Sequence, residues 1–269
     1  MTAGAGTGAG RVPLSGLTPT AIEARQIVRS YEGRTVVDHV DLRAGPGQVT
    51  AIIGPNGAGK TTLFDSLSGE EASDSGRVLL GDVDVTDLPP DERTRRGLAR
   101  TFQHSTVFGT LTVEENLRVG AENHRRDGIA RGLLGLRDRR ATAAHEAVEQ
   151  VLGTLGLRAV RYVPGNRLPT GLLRLVELGR ALCSGPSVLL LDEPASGLDD
   201  AETEGLHQTL RGLADTGLTL LLIEHDLDLV RNSADVLYVM AQGRVMASGP
   251  PDLVIRRADV RAVALGIRE

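Results

Sequence analysis

The chain has 269 residues, of which 41% are apolar and 24% are charged, and its formal net charge is −5. This composition excludes a fibrous or disordered chain, and it allows a substantial core in one large domain or two small ones. The negative charge argues against a general nucleic-acid binder, so no nucleic-acid partner is expected. A single cysteine, Cys183, excludes an internal disulfide and a cysteine-rich metal site.

No run of the sequence approaches the ~20 consecutive apolar residues that a membrane-spanning helix needs. Near the N-terminus, Arg11 is not followed by the long apolar stretch of a secretory signal. We therefore expect a soluble, cytoplasmic protein. Residues 1–20 are rich in Gly, Ala and Thr, and they are predicted to form a disordered extension before a folded domain over 21–269.

Short β-type runs alternate with helical segments along most of the folded domain. Strands are predicted at residues 21–28, 35–42, 49–54, 77–80, 188–192, 218–224 and 236–240. Helices are predicted from the glycine-rich loop to about Ser68, and over 201–214 and 227–232. This alternation indicates an α/β fold with a mostly parallel sheet.

The middle of the chain has a different pattern. Residues 111–182 are mostly helical, and 141–155 is the longest helical segment. We therefore predict a helical subdomain over about 104–182, inserted between two halves of the α/β core. A C-terminal helix is expected over about 250–266.

A glycine-rich loop follows the apolar run 49–53 and fits the pattern G-x-x-x-x-G-K-[ST]. The backbone N–H groups of such a loop, together with the N-terminus of the helix that follows it, can bind phosphate oxygens. Lys60 is expected to contact the β- and γ-phosphates, and the Thr61 hydroxyl to bind Mg²⁺. The predicted nucleotide-binding residues of this segment are Gly54, Pro55, Asn56, Gly57, Ala58, Gly59, Lys60, Thr61 and Thr62.

Lys60 is the only lysine among 30 Lys and Arg residues. A sequence so biased toward arginine that keeps one lysine within this loop indicates that a compact ammonium is needed there, because a guanidinium is wider and planar. Chance retention of one lysine is the alternative interpretation. The position of Lys60 within the motif favours the interpretation that this lysine is kept for its function.

A second motif, Ser187-Val-Leu-Leu-Leu-Asp192-Glu193-Pro194, is an apolar run that ends in two acids. Continuous apolar runs are typical of parallel strands that are covered on both faces, and ligands bind at the carboxyl ends of such strands. Asp192 is placed to hold Mg²⁺, directly or through water. Glu193 is placed to polarise an attacking water as a general base. A solvated acidic pair at a strand end is the alternative.

The motifs narrow the class of nucleotide-binding protein. Common GTPases read guanine with an Asn-Lys-x-Asp segment, and this chain has no second lysine to form one, so a GTPase of that type is excluded. A small-molecule kinase is disfavoured, because it is not expected to carry a glutamate such as Glu193 directly after Asp192. The arrangement resembles the ATP-binding subunits of ABC transporters over residues 21–266. This resemblance implies a P-loop NTPase core of the RecA-like type, with an N-terminal antiparallel β portion and an inserted helical subdomain.

Further residues match this family in its order. By resemblance, Tyr31 stacks on adenine (a core tyrosine is the alternative), and Gln103 in Arg100-Thr-Phe-Gln103 contacts Mg²⁺ and water and senses the membrane partner. Asp199 in Ser196-Gly-Leu-Asp199 communicates across a dimer, and His225 contacts the γ-phosphate. The resemblance implies a set of catalytic residues and a set of Mg²⁺-binding residues. These are Lys60, Glu193 and His225 for catalysis, and Thr61, Gln103 and Asp192 for Mg²⁺.

The family's Leu-Ser-Gly-Gly-Gln signature is altered here. The segment at its place consists of Leu168, Pro169, Thr170, Gly171 and Leu172, and a helix is predicted over 173–182. Leu168 and Gly171 match, whereas the serine hydroxyl and the glutamine amide are missing, and Pro169 has no N–H to donate. The resemblance places this segment against the opposite subunit's ATP. We therefore expect a heterodimer with a second ATPase subunit that carries a full signature.

Within the family, the segments 100–103, 111–117 and 222–226 look most like those of branched-chain amino acid importers. The resemblance implies ATP and Mg²⁺ as cofactors, and two membrane permease subunits and an external solute-binding protein as partners. It places the chain at the cytoplasmic face of the plasma membrane. A urea or amide importer and a soluble ABC ATPase not coupled to transport are the alternatives. A regulatory module that does not hydrolyse ATP is disfavoured, since Glu193 and His225 are both present.

Overall fold

The computed structural model describes residues 18–101, 107–123 and 137–264. Its strands are β1 (Ile22–Tyr31), β2 (Arg34–Ala44), β3 (Val49–Ile53), β4 (Ser75–Leu80), β5 (Val83–Asp84), β6 (Leu98–Arg100), β7 (Val188–Asp192), β8 (Thr219–Ile223), β9 (Val236–Ala241) and β10 (Arg244–Gly249). Its α-helices are α1 (Lys60–Ser68), α2 (Pro90–Arg95), α3 (Val113–Asn123), α4 (Arg137–Thr154), α5 (Thr170–Leu182), α6 (Asp200–Asp215), α7 (Leu227–Ser233), α8 (Pro251–Ile255) and α9 (Ala258–Ala264).

The central sheet has the strand order β10-β9-β3-β8-β7-β6 in the described part of the chain. Its strands are parallel, except that β10 pairs with β9 in the antiparallel sense. All residues of β3, β7 and β8 are buried, which explains why these segments are continuous apolar runs in the sequence. Because β3, β8 and β7 are parallel neighbours, the loops that follow them emerge at one edge of the sheet.

A second sheet is antiparallel, with the order β2-β1-β4-β5 in the described residues. It covers α1, whose buried Leu63 and Phe64 share an apolar cluster with Ile27 of this sheet and with Ile52 and Leu190 of the central sheet. The helix that follows the glycine-rich loop is therefore fixed between two sheets. This arrangement confirms the expected α/β fold with an N-terminal antiparallel portion.

The helices of the middle segment pack against the opposite face of the central sheet. Leu117 of α3, Leu152 of α4 and Val176 of α5 are buried in one cluster with Leu189 of β7. Helices α3 and α5 approach each other closely at Gly120, where a Cβ atom would lie 2.0 Å from the carbonyl oxygen of Arg180. The apolar core is thus continuous from the helical segment into the α/β part.

The two ends of the fold differ from the sequence prediction. Residues 18–20, which were assigned to the extension, contact the folded domain, because the Thr219 hydroxyl donates to the carbonyl oxygen of Thr20 at 2.6 Å. Residues 1–17 lie outside the described ones.

The C-terminal segment forms the two short helices α8 and α9 rather than one over 250–266. Arg257, between them, binds the carboxylate of Asp259 at 2.7 Å in the first turn of α9. Among the described helices, none is long and apolar enough to cross a membrane.

Candidate functional site

The glycine-rich loop connects β3 to α1 and is held on both sides by neighbouring strands. At Gly54, where φ is 155°, a Cβ atom would lie 2.2 Å from the carbonyl oxygen of Met240 in β9. At Gly59, where φ is 94°, it would lie 2.5 Å from the carbonyl oxygen of Val36 in β2. Only glycine fits at these two positions, because both the backbone angles and the close approach exclude a side chain.

The Lys60 side chain folds back into this loop. Its Nζ donates to the carbonyl oxygens of Gly54 at 2.7 Å and of Pro55 at 3.1 Å, and the residue is only 6% exposed. Burial lowers the pKa of Lys60, and the carboxylates of Glu193 and Asp192 oppose that shift. An ammonium beside a loop with such glycine angles fits the binding of phosphate oxygens.

Asp192 ends β7 and is 4% exposed. Its Oδ2 lies 3.4 Å from Nη2 of Arg100, and Nη1 of the same guanidinium donates to Asp65 Oδ1 at 2.6 Å. Burial raises the pKa of Asp192, while Arg100 opposes that shift. A buried carboxylate at this edge fits Mg²⁺, which proteins bind through one or two carboxylates together with substrate phosphates. No role was predicted for Arg100 from the sequence, although an arginine at the end of a buried parallel strand is a signal for a site residue.

Glu193 and His225 come together from the ends of β7 and β8. Glu193 Oε1 lies 2.9 Å from His225 Nε2, and the Glu193 N–H donates to the carbonyl oxygen of Ile223 at 3.0 Å. The φ angle of Glu193 is 48°, a left-handed backbone conformation that non-glycine residues adopt rarely. The pair can therefore act as a unit: a carboxylate that accepts a proton, beside an imidazole that orients it.

Outside the loop, the predicted nucleotide-binding residues that the structure describes are Thr61, Thr62 and Tyr31. Thr61 is exposed in the first turn of α1, and Thr62 is half-buried next to it. The ring of Tyr31 lies 4.8 Å from the Arg29 guanidinium, and its hydroxyl donates to Glu71. Gln103 lies outside the described residues.

A cavity of about 240 Å³ opens beside the phosphate loop. The loop forms one side of it, and the turn between β9 and β10 forms another through Gln242 and Gly243. Arg34, Thr35 and Val36 of β2 complete the lining, and Tyr31 is not among these lining residues. Sequence reasoning missed Arg34 and Gln242, because neither belongs to a phosphate-binding motif.

The signature segment lies at the start of α5, and this end of α5 contacts the first turn of α6 and the loop before it. A Cβ atom at Gly171 would lie 2.3 Å from Glu202 Oε1, and Arg174 Nη2 lies 3.4 Å from the carbonyl oxygen of Ser196. Leu168 of this segment is buried and Leu172 is half-buried against the apolar core, whereas Pro169 and Thr170 are exposed.

Asp199 lies just before α6 and caps this helix. Its carboxylate accepts the Glu202 N–H at 2.8 Å.

A glycine loop, a strand-end aspartate and a Glu–His pair at one sheet edge define a P-loop nucleoside triphosphatase. The model of the ABC transporter family matches residues 37–196, which is more than half of the chain. The chain belongs to this family, and it is an ATP-binding subunit that hydrolyses ATP.

Similar proteins agree with this assignment. The high-affinity branched-chain amino acid transport ATP-binding protein LivG of Escherichia coli K12 is 36% identical over 89% of this chain and 95% of its own length. The lipopolysaccharide export system ATP-binding protein LptB of the same strain is 31% identical over 91% and 97%. The crystal structure of the ADP conformation of MJ1267, an ATP-binding cassette of an ABC transporter, superposes with a TM-score of 0.80 at 31% identity, covering 93% of this chain and all of that one.

Proposed function

We propose that the chain powers import of a small solute, branched-chain or other amino acids, through separate membrane subunits. The observation that carries this proposal is the 36% identity with LivG, which extends over 95% of that protein. LptB, whose name assigns it to lipopolysaccharide export, is 31% identical. An ATPase chain of this kind therefore does not by itself determine the cargo, and the solute is expected to depend on the partners.

In the proposed mechanism, Lys60 and His225 offset the negative charge that develops on the transferred phosphoryl group. Glu193 accepts the proton of the attacking water, because its carboxylate lies at the same sheet edge as the phosphate loop. Asp192, Thr61 and Gln103 would hold Mg²⁺, which supplies positive charge to the phosphates when it is bound. Tyr31 would contact the adenine.

The partners proposed for this chain are a second ATPase subunit, two membrane permease subunits and an external solute-binding protein. Peripheral attachment at the cytoplasmic face of the plasma membrane follows from such an assembly. The identity with LivG and the altered signature segment 168–172 support this arrangement.

The test is purification of the tagged chain with its native membrane partners, followed by their identification and by reconstitution in vesicles. We expect permease subunits to co-purify and amino acids to stimulate ATP hydrolysis. Stimulation by urea or amides instead would assign the alternative importer class. Co-purification with ribosomes or other soluble assemblies, without permeases, would contradict the proposal that the chain powers import.

A further inference from the structure

Glu224 follows β8 directly and is 3% exposed. Its Oε1 accepts the N–H of Ala195 at 2.9 Å, and its Oε2 accepts the N–H of His225 at 3.0 Å. The N–H of Asp226 lies 3.5 Å from the same Oε2. The carboxylate therefore binds backbone groups of two different loops, and each oxygen serves one of them.

These two loops carry the Glu–His pair. Ala195 lies two residues after Glu193 in the loop after β7, and His225 is the residue next to Glu224. Glu193 keeps its positive φ angle only where the surrounding structure fixes the backbone on both sides. The Glu193 N–H is bound by Ile223 on one side, and Glu224 binds the Ala195 N–H on the other.

We infer that Glu224 is a positioning residue for ATP hydrolysis, which holds Glu193 and His225 at hydrogen-bond distance by fixing the loops after β7 and β8. This inference rests on the roles proposed above for those two residues. Glu224 acts through the backbone, because the hydrogen bonds that its carboxylate accepts in the described part of the chain come from backbone N–H groups. Burial raises the pKa of Glu224, while the three N–H groups oppose that shift, as expected for a carboxylate held by backbone donors.

The first experiment compares Glu224→Gln with Leu221→Val in the full chain, assembled with its transporter. The glutamine has the same size, but its amide nitrogen cannot accept, so one of the two loops loses its acceptor. We expect kcat to fall by at least about tenfold while the KM for ATP changes less than about threefold, because the phosphate loop is untouched. Leu221 is buried in β8, and the loss of one methylene there lowers stability without touching the loops. Normal kcat in Glu224→Gln, or an equal fall of kcat in Leu221→Val, would overturn the inference.

Glu224→Asp keeps the charge and both acceptor oxygens on a shorter side chain, and it should recover part of the lost kcat. In the Glu193→Gln/His225→Gln background, where both members of the pair are replaced, Glu224→Gln should cause no further loss of kcat, because Glu224 acts only through the pair. A further loss of kcat in that background would show an independent effect, and would contradict positioning.

The second experiment does not depend on hydrolysis. Selective isotope labelling of the six histidines lets the imidazole resonances be followed by NMR in the isolated full chain, with His225 assigned from His225→Gln. Glu193→Gln should shift the His225 resonance, Glu224→Gln should shift it in the same direction, and Leu221→Val should leave it in place. An unmoved His225 resonance in Glu224→Gln would overturn the inference. If Glu193→Gln kept full ATPase activity, the proposed mechanism would fail, and the NMR result would still report whether Glu224 positions the pair.

Discussion

At the scale of single residues, the ammonium of Lys60 illustrates how closely this loop is fitted to one side chain. It lies 2.7 Å from a carbonyl oxygen of its own loop, in a space bounded by backbone. Lys60→Arg should lower ATP affinity or hydrolysis by at least about tenfold although the charge is kept, because the planar guanidinium needs more room. Equilibrium binding of ATP and steady-state hydrolysis measure the two effects separately.

Lys60 can also be tested without substitution, because the sequence contains no other lysine. Amine-reactive labelling should modify Lys60 and the N-terminus, and bound ATP should protect Lys60 alone. Equal labelling of Lys60 with and without saturating ATP would show that the ammonium does not contact phosphate.

Glu193 gives a second prediction at this scale. Glu193→Gln should leave ATP binding near normal and reduce hydrolysis by roughly 10²-fold or more, as expected for loss of a general base. Glu204→Gln is the matched control, since Glu204 is exposed on α6 and its carboxylate accepts a hydrogen bond from Gln208 on the same helix. Wild-type turnover in the assembled Glu193→Gln complex would remove Glu193 from the catalytic role.

At the scale of elements, α1 depends on a buried arginine. Arg93 of α2 is 2% exposed, and its guanidinium donates to the carbonyl oxygens of Ser66 and Leu67, both at 2.7 Å. These carbonyls belong to the last turn of α1, where helical carbonyl groups lack partners within the helix. Further donation to Leu88 and Thr86 ties the loop before α2 to the same guanidinium. Burial lowers the pKa of Arg93 to about 10.

Arg93→Met should therefore lower the free energy of unfolding by about 3 kcal/mol, because buried carbonyl groups lose charged donors. The control is Arg95→Ala on the same helix. Arg95 is exposed and pairs with Asp91 at 2.8 Å, so its loss should change stability by about 0.5 kcal/mol or less. Urea unfolding of the two variants measures the difference, and equal midpoints would contradict the role given to Arg93.

Sequence reasoning recovered the elements whose signal is local. The continuous apolar runs of β7 and β8 and the glycine loop after β3 define the sheet edge, and the motif order predicts which loops meet there. The roles of Arg93 and Glu224 were not predicted. Each side chain binds backbone groups that are far away in the sequence, and no spacing rule describes such contacts. The break between α8 and α9 was not predicted because residues 252–264 contain no glycine or proline that would mark it.

At the scale of the whole molecule, the chain has two segments predicted to contact nucleotide: the sheet edge with the phosphate loop, which is complete, and the signature segment 168–172, which is altered. The edge formed by the loops after β3, β7 and β8 has its lysine, aspartate and Glu–His pair in place. The start of α5 has an exposed Pro169 and a Leu172 that packs into the core. The described segment therefore offers neither a serine hydroxyl nor a glutamine amide to a second nucleotide.

This inequality predicts asymmetry in the dimer. A homodimer would place two altered signatures against two intact phosphate loops, and each missing donor to a charged group costs about 1.5–3 kcal/mol. A partner subunit with a full signature would complete the site built around Lys60 and Glu193. The purified chain should therefore be a poor ATPase, and addition of the partner cassette should raise its turnover at least about tenfold. Full activity of the chain alone, with two equivalent ATP molecules in a symmetric dimer, would show that Pro169 and Leu172 are tolerated and that no second kind of subunit is required.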